Sequence, residues 1–563
     1  SPLIILKPLI SSPLIILKSL ISSPSIMTAL AALTMVSAAC AQEAAFAIVP
    51  AAAGQHCTFV EGMRYSELVI NSRLNDFKAN TKAAGFGVYD AEGQIKEAPS
   101  GTTASLDYVP GLVAKAVIEA TDYYRTSPTV DVRPWFYAVQ HYGNSLDIAQ
   151  NGKNGKSFDD LNAVKLYFKL RELAAASVFA DGPQYTNEAT IKTADARMED
   201  ALKGIAKANE TYVIKSSTLE GAAGGWWHKS GYVNQMWCDG QYMGPALLAQ
   251  MLNAYPRYTP ITDDDWALLI RQFTIAWRYL WDEDVQLLYH AFTADPANTA
   301  GWAGISATPG AEIYHSAEYW GRAEGWYFLG LVDVLEEMQK AGRQETPDYV
   351  TLRTMLRKLG AGIAAKQDAA TGCWYQLLNH DGSFVANTYN SSYRYTSSPV
   401  RNYLESSCTA IFIAAYLKGM RLGLFDTDYT ELARKAYKGF VEQFMVSDGK
   451  GGVHLIGCCK SAGLGGSSYR DGSAEYYLMG RDTEPTVDAP SSPSFYTEGK
   501  VLGGFILAAT EYERRFNDSG SGLATVADES AHHARIYDLR GLRVTAPSRF
   551  GLYLAVGRKF FVR

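Results

Sequence analysis

The chain has 563 residues, of which 47% are hydrophobic and 20% charged, with a formal net charge of −6; this supports a large apolar core and excludes a charge-rich disordered protein. No block of Lys and Arg interleaved with aromatic residues is present, which argues against nucleic acid as a partner. The 11 Trp and 35 Tyr are a heavy aromatic load, suited either to a core or to a carbohydrate surface.

In chain order, Ser1 to Ser11 recurs almost unchanged as Ser12 to Ser22. Such a duplication has no packing logic, so residues 1–26 read as a low-complexity repeat outside the mature fold. Residues 27–41 form a short apolar run ending in small residues, the pattern of a signal peptide, with Ala39-Cys40-Ala41 as the cleavage site. Lipidation at Cys40 is the alternative and would supply the only membrane contact. Both readings expect an exported protein, periplasmic or at the outer surface. Residues 42–516 then read as one catalytic domain.

Within that domain apolar residues recur at three-to-four spacing. The helices expected are Val109 to Tyr124, Leu161 to Ala180, Thr193 to Ala208, Pro245 to Ala254, Trp266 to Leu280, Gly325 to Lys340, Thr351 to Gln367, Leu404 to Met420, Tyr429 to Phe444 and Gly499 to Phe516. Gly-, Asn- and Trp-rich loops separate them, and no strand pattern of comparable length interrupts. The expectation is an all-α toroid of antiparallel helix pairs with its polar chemistry in the loops at one end. Residues 517–533 read as a linker opening on Asn-Asp-Ser-Gly-Ser-Gly, and 534–563 alternate apolar and polar residues as a short β module. That module resembles the C-terminal tails of exported Bacteroidetes proteins. The seven cysteines are scattered and fit neither a disulfide framework nor a zinc site; Cys458-Cys459 is the only close pair.

The chemistry concentrates in Trp227 to Pro245, where one carboxylate, Asp239, stands among His228, Trp237, Tyr242, Met243 and several glycines. Aromatic shielding raises the pKa of a carboxyl group toward the range of a proton donor, and aromatic faces also pack against pyranose rings. Taken alone, Asp239 serves equally as a helix N-cap, since Gly240 and Pro245 announce a helix behind it, and a helix N-terminus would lower its pKa.

Four clusters, taken in order, resemble glycoside hydrolase family 105. They are the Trp227 to Met243 block, Leu287-Leu288-Tyr289-His290, Tyr319-Trp320-Gly321-Arg322-Ala323-Glu324-Gly325-Trp326 and Tyr403-Leu404-Glu405-Ser406-Ser407. The resemblance spans roughly residues 60 to 515; Glu324, where the family more often has Asn, and a long connection between the second and third clusters are departures from it. It implies an (α/α)6 barrel and an unsaturated rhamnogalacturonyl hydrolase, which hydrates the C4=C5 double bond that a polysaccharide lyase leaves on a terminal uronate. It further implies Asp239 as acid and base and Asp160 as a second carboxylate that helps keep Asp239 protonated; Asp159 is an adjacent rival for that role. His228, Trp237, Met243, His290, Trp320, Arg322, Trp326 and Tyr108 are the implied substrate contacts. Arg322 is expected on the uronate carboxylate or, alternatively, paired with Glu318 or Glu324, and Glu405 is expected to be structural.

No metal and no cofactor is expected, because the histidines lack ligand spacing and hydration of an enol ether needs only a proton and water. The expected partner is an unsaturated uronyl oligosaccharide, most simply the galacturonyl-rhamnose ends of pectin. Alternatives are unsaturated glucuronyl ends of another polyanion, a lyase on the same toroid, or a non-catalytic glycan-binding protein.

Overall fold

The computed structural model describes residues 49–80, 82–101, 106–146, 154–215, 219–255, 258–295, 302–303, 314–383, 385–386, 400–480, 482–489, 491–492 and 495–517, with four short strands between 536 and 562. The low-complexity repeat, the signal segment, Cys40 and nearly all of the linker lie outside the described residues. The strands 536–538, 543–544, 551–555 and 558–562 form an antiparallel sheet in which 536–538 lies between 543–544 and 551–555.

Helices dominate the rest. They are α1 (Tyr65–Arg73), α2 (Tyr108–Tyr124), α3 (Arg133–Ser145), α4 (Phe158–Asn162), α5 (Leu166–Ala175), α6 (Asn187–Thr211), α7 (Cys238–Met243), α8 (Pro245–Ala254), α9 (Asp265–Leu280), α10 (Gly321–Lys340), α11 (Pro347–Ala365), α12 (Ser406–Arg421), α13 (Thr430–Phe444), α14 (Ala474–Met479) and α15 (Gly499–Phe516). Helices α2, α5, α8, α10, α12 and α15 form an inner ring. Each packs against one outer partner: α3, α6, α9, α11, α13 and, for α15, the chain's first helix α1. The toroid therefore closes by joining its first described helix to its last.

Burial sorts the two rings. From Ser406 to Leu417 every residue of α12 is buried, and α15 is buried along nearly its whole length. Helix α13 instead buries one face, through Ala433, Ala436, Tyr437, Phe440, Val441 and Phe444, as an outer helix must. Small residues bring the inner helices together: a Cβ on Gly504 of α15 would stand 3.4 Å from the Ala410 Cβ of α12, ordinary contact distance.

Most boundaries agree with the apolar period, and the differences have local causes. The segment expected as one helix from Leu161 to Ala180 is α4, a 3-10 turn at Ala163–Lys165 and α5. The Thr186 side chain caps α6 by accepting from the Ala189 N–H at 3.1 Å, so that helix starts before the expected Thr193. Helices α1, α3 and α14 were not expected, and the helix announced behind Asp239 begins one residue before it as the separate α7; α7 and α14 have six residues each, too short to show a period.

All six inner helices run the same way through the ring. Their N-terminal ends carry Tyr108, the α4 carboxylates, Asp239, Arg322, Glu405 and Glu498. Toward their C-terminal ends stand Lys340, Lys418 and Arg421, held by Glu336, Glu337, Asp333 and Glu511, while the Lys115–Glu119 pair lies midway along α2. Cations at helix C-termini complement the macrodipole. The two mouths of the toroid thus differ in chemistry: ion pairs line a cavity of about 1020 Å³ at one, and the other gathers aromatic and acidic side chains.

Candidate active site

Short strand pairings assemble the site at the N-terminal mouth. Asn234, in the left-handed region at φ 58°, turns the chain into the strand Gln235–Trp237, which pairs antiparallel with Ala291–Thr293. Asn tolerates that conformation better than a branched residue would. The register opposes Trp237 to Ala291, and the Cys238 N–H donates to the His290 carbonyl at 3.0 Å. Asp239 and His290 consequently emerge side by side although 51 residues separate them. A bridge between Ser157 and Lys229, with the Phe158 N–H donating to the His228 carbonyl at 3.3 Å, lays the first turn of α4 along the same edge.

Two carboxylate–imidazole pairs result. Asp239 Oδ2 lies 3.3 Å from His290 Nε2, and Asp159 Oδ1 lies 3.2 Å from His228 Nε2. Lys229 Nζ closes on the other Asp159 oxygen at 2.5 Å. His228, Tyr232 and Trp237 stack, with Tyr232 and Trp237 4.6 Å apart at 3° between planes. The His290 ring stands edge-on to Trp237 at 4.9 Å and 4.7 Å from Trp320.

Electrostatics separates the three acids. Burial pushes the Asp160 carboxyl up, and its neighbours Asp159 and Asp107 add to this against Lys229, to about 7. Burial acts on Asp159 in the same sense, but Lys229 and His228 outweigh it and hold that carboxyl well below its usual range. In Asp239, too, burial is opposed and outweighed, here by His290 and then His228, and the group sits below its ordinary value. Burial lowers the His290 imidazole against the pull of Asp239. The resting pair is a carboxylate facing a neutral ring.

This corrects one expectation. Asp239 is not raised, and the carboxylate acting on it most is Asp159. Asp160 is the acid that retains a proton near neutrality. Nor is Asp239 an N-cap: it lies in the first turn of α7, with Trp237 at the cap position.

The expected contact residues fall into layers. Asp239, Asp160 and Tyr108 are partly exposed at the mouth, whereas His228, Trp237, Trp320 and His290 form a buried layer behind them. Met243 and Trp326, each 1% exposed, lie in the core beneath; Trp326 stacks on Tyr242 and meets Tyr108 edge-on. Their apolar surface is spent on the helices around them, so they support the site and do not face a ligand. Arg322 is also only 1% exposed. Its Nη1 donates to the Cys459 carbonyl at 2.6 Å and to Ser407 Oγ at 3.1 Å, its guanidinium covers Trp320 at 4.6 Å, and its carboxylate neighbour is Glu405 at 3.9 Å, not Glu318 or Glu324. It ties α10 to the 458–460 loop and is not offered to a uronate. Glu405 accepts from the N–H groups of Ser407, Cys408 and Cys459, a structural role as expected. Cys458 and Cys459 are both free and buried.

Sequence reasoning missed Lys229, Tyr232, Asp107 and Tyr477. The first two adjoin His228 in the same block and carried a signal. Tyr477 carried none: its hydroxyl meets His290 Nδ1 at 2.7 Å from 187 residues away.

A closed double ring of helices with an aromatic-walled acid at one mouth is an (α/α)6 barrel with the features of a carbohydrate site. The chain belongs to glycosyl hydrolase family 88, whose model matches residues 89–516. A family 105 glycoside hydrolase from C. acetobutylicum shares the fold with a TM-score of 0.56 at 23% identity, over 80% of this chain and 100% of that one. A candidate family 105 member from Salmonella enterica gives a TM-score of 0.51 at 18% identity, over 80% and 92%. The 24.9 kDa protein in the picA locus of Rhizobium radiobacter is 32% identical over 248 residues, 43% of this chain and 88% of that protein.

Proposed function

We propose that the protein hydrates the C4=C5 double bond of unsaturated uronyl oligosaccharides, with Asp239 as acid and base and the galacturonyl-rhamnose ends left by pectin lyases as substrate. The observation that carries this reading is Asp239 paired with His290 at the mouth where six inner-helix N-termini converge. Helix N-termini favour anions, so this mouth suits an acidic sugar. Tyr232, partly exposed and held flat by its stack on the buried Trp237, supplies apolar surface for a pyranose ring.

The chemistry needs one proton that is given and then recovered. Asp239 protonates C4 of the vinyl ether, leaving oxocarbenium character between C5 and the ring oxygen. Water adds at C5 and returns a proton to the Asp239 carboxylate. The hemiketal formed opens and releases the neighbouring sugar. Because Asp239 rests ionised, it must gain its proton with the substrate: an arriving uronate carboxylate and the loss of water around the site both raise its pKa. Asp159, held ionised by Lys229, and Asp160, close to half protonated at neutral pH, then differ in what they offer sugar hydroxyls: one accepts only, the other also donates.

The test is ultraviolet absorbance of the unsaturated uronate in lyase-digested rhamnogalacturonan. The signal is expected to fall with the wild-type protein, and Asp239→Asn is expected to lose at least about 10²-fold in kcat while still binding. Near-wild-type turnover in that variant would overturn the assignment of Asp239. A signal falling only with digests of glucuronyl polymers would move the substrate, and a rise on undigested polymer would make the protein a lyase.

A further inference from the structure

We infer that Tyr477 is a positioning residue that locks the tautomer of His290, so that the ring presents Nε2–H to Asp239 Oδ2 and leaves Oδ1 to carry the transferable proton. The inference rests on the hydrolase reading for its consequence in catalysis, but not for the tautomer itself.

The geometry leaves the ring little other freedom. His290 and Tyr477 are both 0% exposed. The imidazole is wedged between Trp237 and Trp320, and its backbone carbonyl accepts from the Cys238 N–H, so the ring plane and both of its edges are fixed. One edge, Nδ1, meets the Tyr477 hydroxyl at 2.7 Å; the other, Nε2, faces Asp239 Oδ2 at 3.3 Å. Nε2 and Oδ2 face each other at 3.3 Å without closing a hydrogen bond, and among the described residues neither is hydrogen-bonded elsewhere. Tyr477 is itself braced, because Gln376 Nε2 donates to its carbonyl at 2.9 Å while Gln376 Oε1 accepts from Trp320 Nε1 at 3.0 Å. One amide thus joins the tyrosine to the indole that flanks His290.

A neutral imidazole has one N–H for two edges. Burial keeps Tyr477 a phenol, which can donate or accept; among the described residues its hydroxyl meets no acceptor other than Nδ1, so its proton is directed there and the ring proton falls on Nε2. Nε2–H then lies on the side of Oδ2, the Asp239 oxygen shut away from solvent, within reach of a hydrogen bond after a small closure of the 3.3 Å gap. When the carboxyl takes up its proton, Oδ2 is the acceptor for that N–H, so the acidic hydrogen resides on Oδ1. The opposite tautomer would place a lone pair against Oδ2, draw the acidic hydrogen inward and turn it away from C4. The other charged or titratable groups acting on this pair are His228, Asp159, Arg322, Glu318, Tyr476 and Cys459.

The first readout needs neither substrate nor variant. In ¹⁵N-histidine-labelled wild-type protein at neutral pH, His290 is expected to show a protonated Nε2 and an unprotonated Nδ1; a protonated Nδ1 overturns the inference. In Tyr477→Phe the Nδ1 resonance is expected to move toward a tautomer mixture. That variant is also expected to lose at least roughly tenfold in kcat with KM within about twofold, and to shift the pH profile of kcat, effects that follow from a misplaced proton and not from lost binding. Unchanged ¹⁵N shifts with an unchanged pH profile would overturn the role. Should Tyr477→Phe fail to fold, the wild-type spectrum still decides. Failure of the hydrolase reading would appear separately, as turnover retained by Asp239→Asn with the wild-type tautomer still in place.

Discussion

Asp160 shows how much a neighbour decides. It and Asp159 are adjacent in sequence, and nothing in their residue type separates them. Yet Lys229 and His228 reach Asp159, and Asp160 is pushed up to about 7. A carboxyl raised above its unfolded value binds its proton more tightly when folded. Stability therefore falls as pH rises from about 4 to about 7; below the unfolded value, where both states are protonated, the contribution is fully present and no longer depends on pH. Asp160→Asn should remove much of that fall, read as the change in urea midpoint between pH 5 and pH 7.5. Glu513, also at about 7, adds a similar slope to both proteins, so the difference between them is the measurement. Parallel slopes would show that Asp160 does not retain its proton. The candidate acid Asp239 was legible from its aromatic surroundings; its resting charge was not, because the sequence does not say which imidazole will stand 3.3 Å away.

At the scale of elements, apolar periodicity identified the long helices, since a helix that buries one face must repeat near 3.6 residues. The inner ring adds a demand for small residues where backbones touch. A Cβ on Gly111 of α2 would stand 2.5 Å from Ala163 Cα and 2.6 Å from its Cβ, in the 3-10 turn before α5. Backbone cannot step aside as a long side chain can. Gly111→Ala is expected to destabilise the protein, because overpacking costs about 1–3 kcal/mol against a gain of about 1 kcal/mol in helix propensity. A lower urea midpoint at unchanged m-value checks this, and a higher midpoint would mean slack between the two elements. The period carries no such information: a glycine at a helix contact and one in a tolerant helix look alike in sequence.

At the scale of the molecule, the ring is closed by α15, which packs between α2 and α12 and carries α1 on its outer side. Glu513 ties this junction, accepting from the Ser66 N–H at 2.9 Å, from Ser66 Oγ at 2.5 Å and from the Tyr124 hydroxyl, with no exposed surface of its own. A chain ending at Glu498 would expose the buried faces of α2, α12 and α1 together. Loss of a single cooperative transition, followed by circular dichroism during heating, is the expected outcome. A sharp transition near the wild-type temperature would show that five helix pairs suffice.

Helix content, the order of the motif clusters and the candidate acid were determined by sequence alone, because burial of a helix face and local aromatic density are written in neighbouring residues. Tertiary structure alone decided that Arg322 is consumed inside the protein, that Asp159 and Asp160 differ in charge, and that Tyr477 reaches His290 from 187 positions away. Periodicity records which face of a helix is buried. It does not record which distant residue a buried polar atom meets, and that meeting sets where each proton of the site resides.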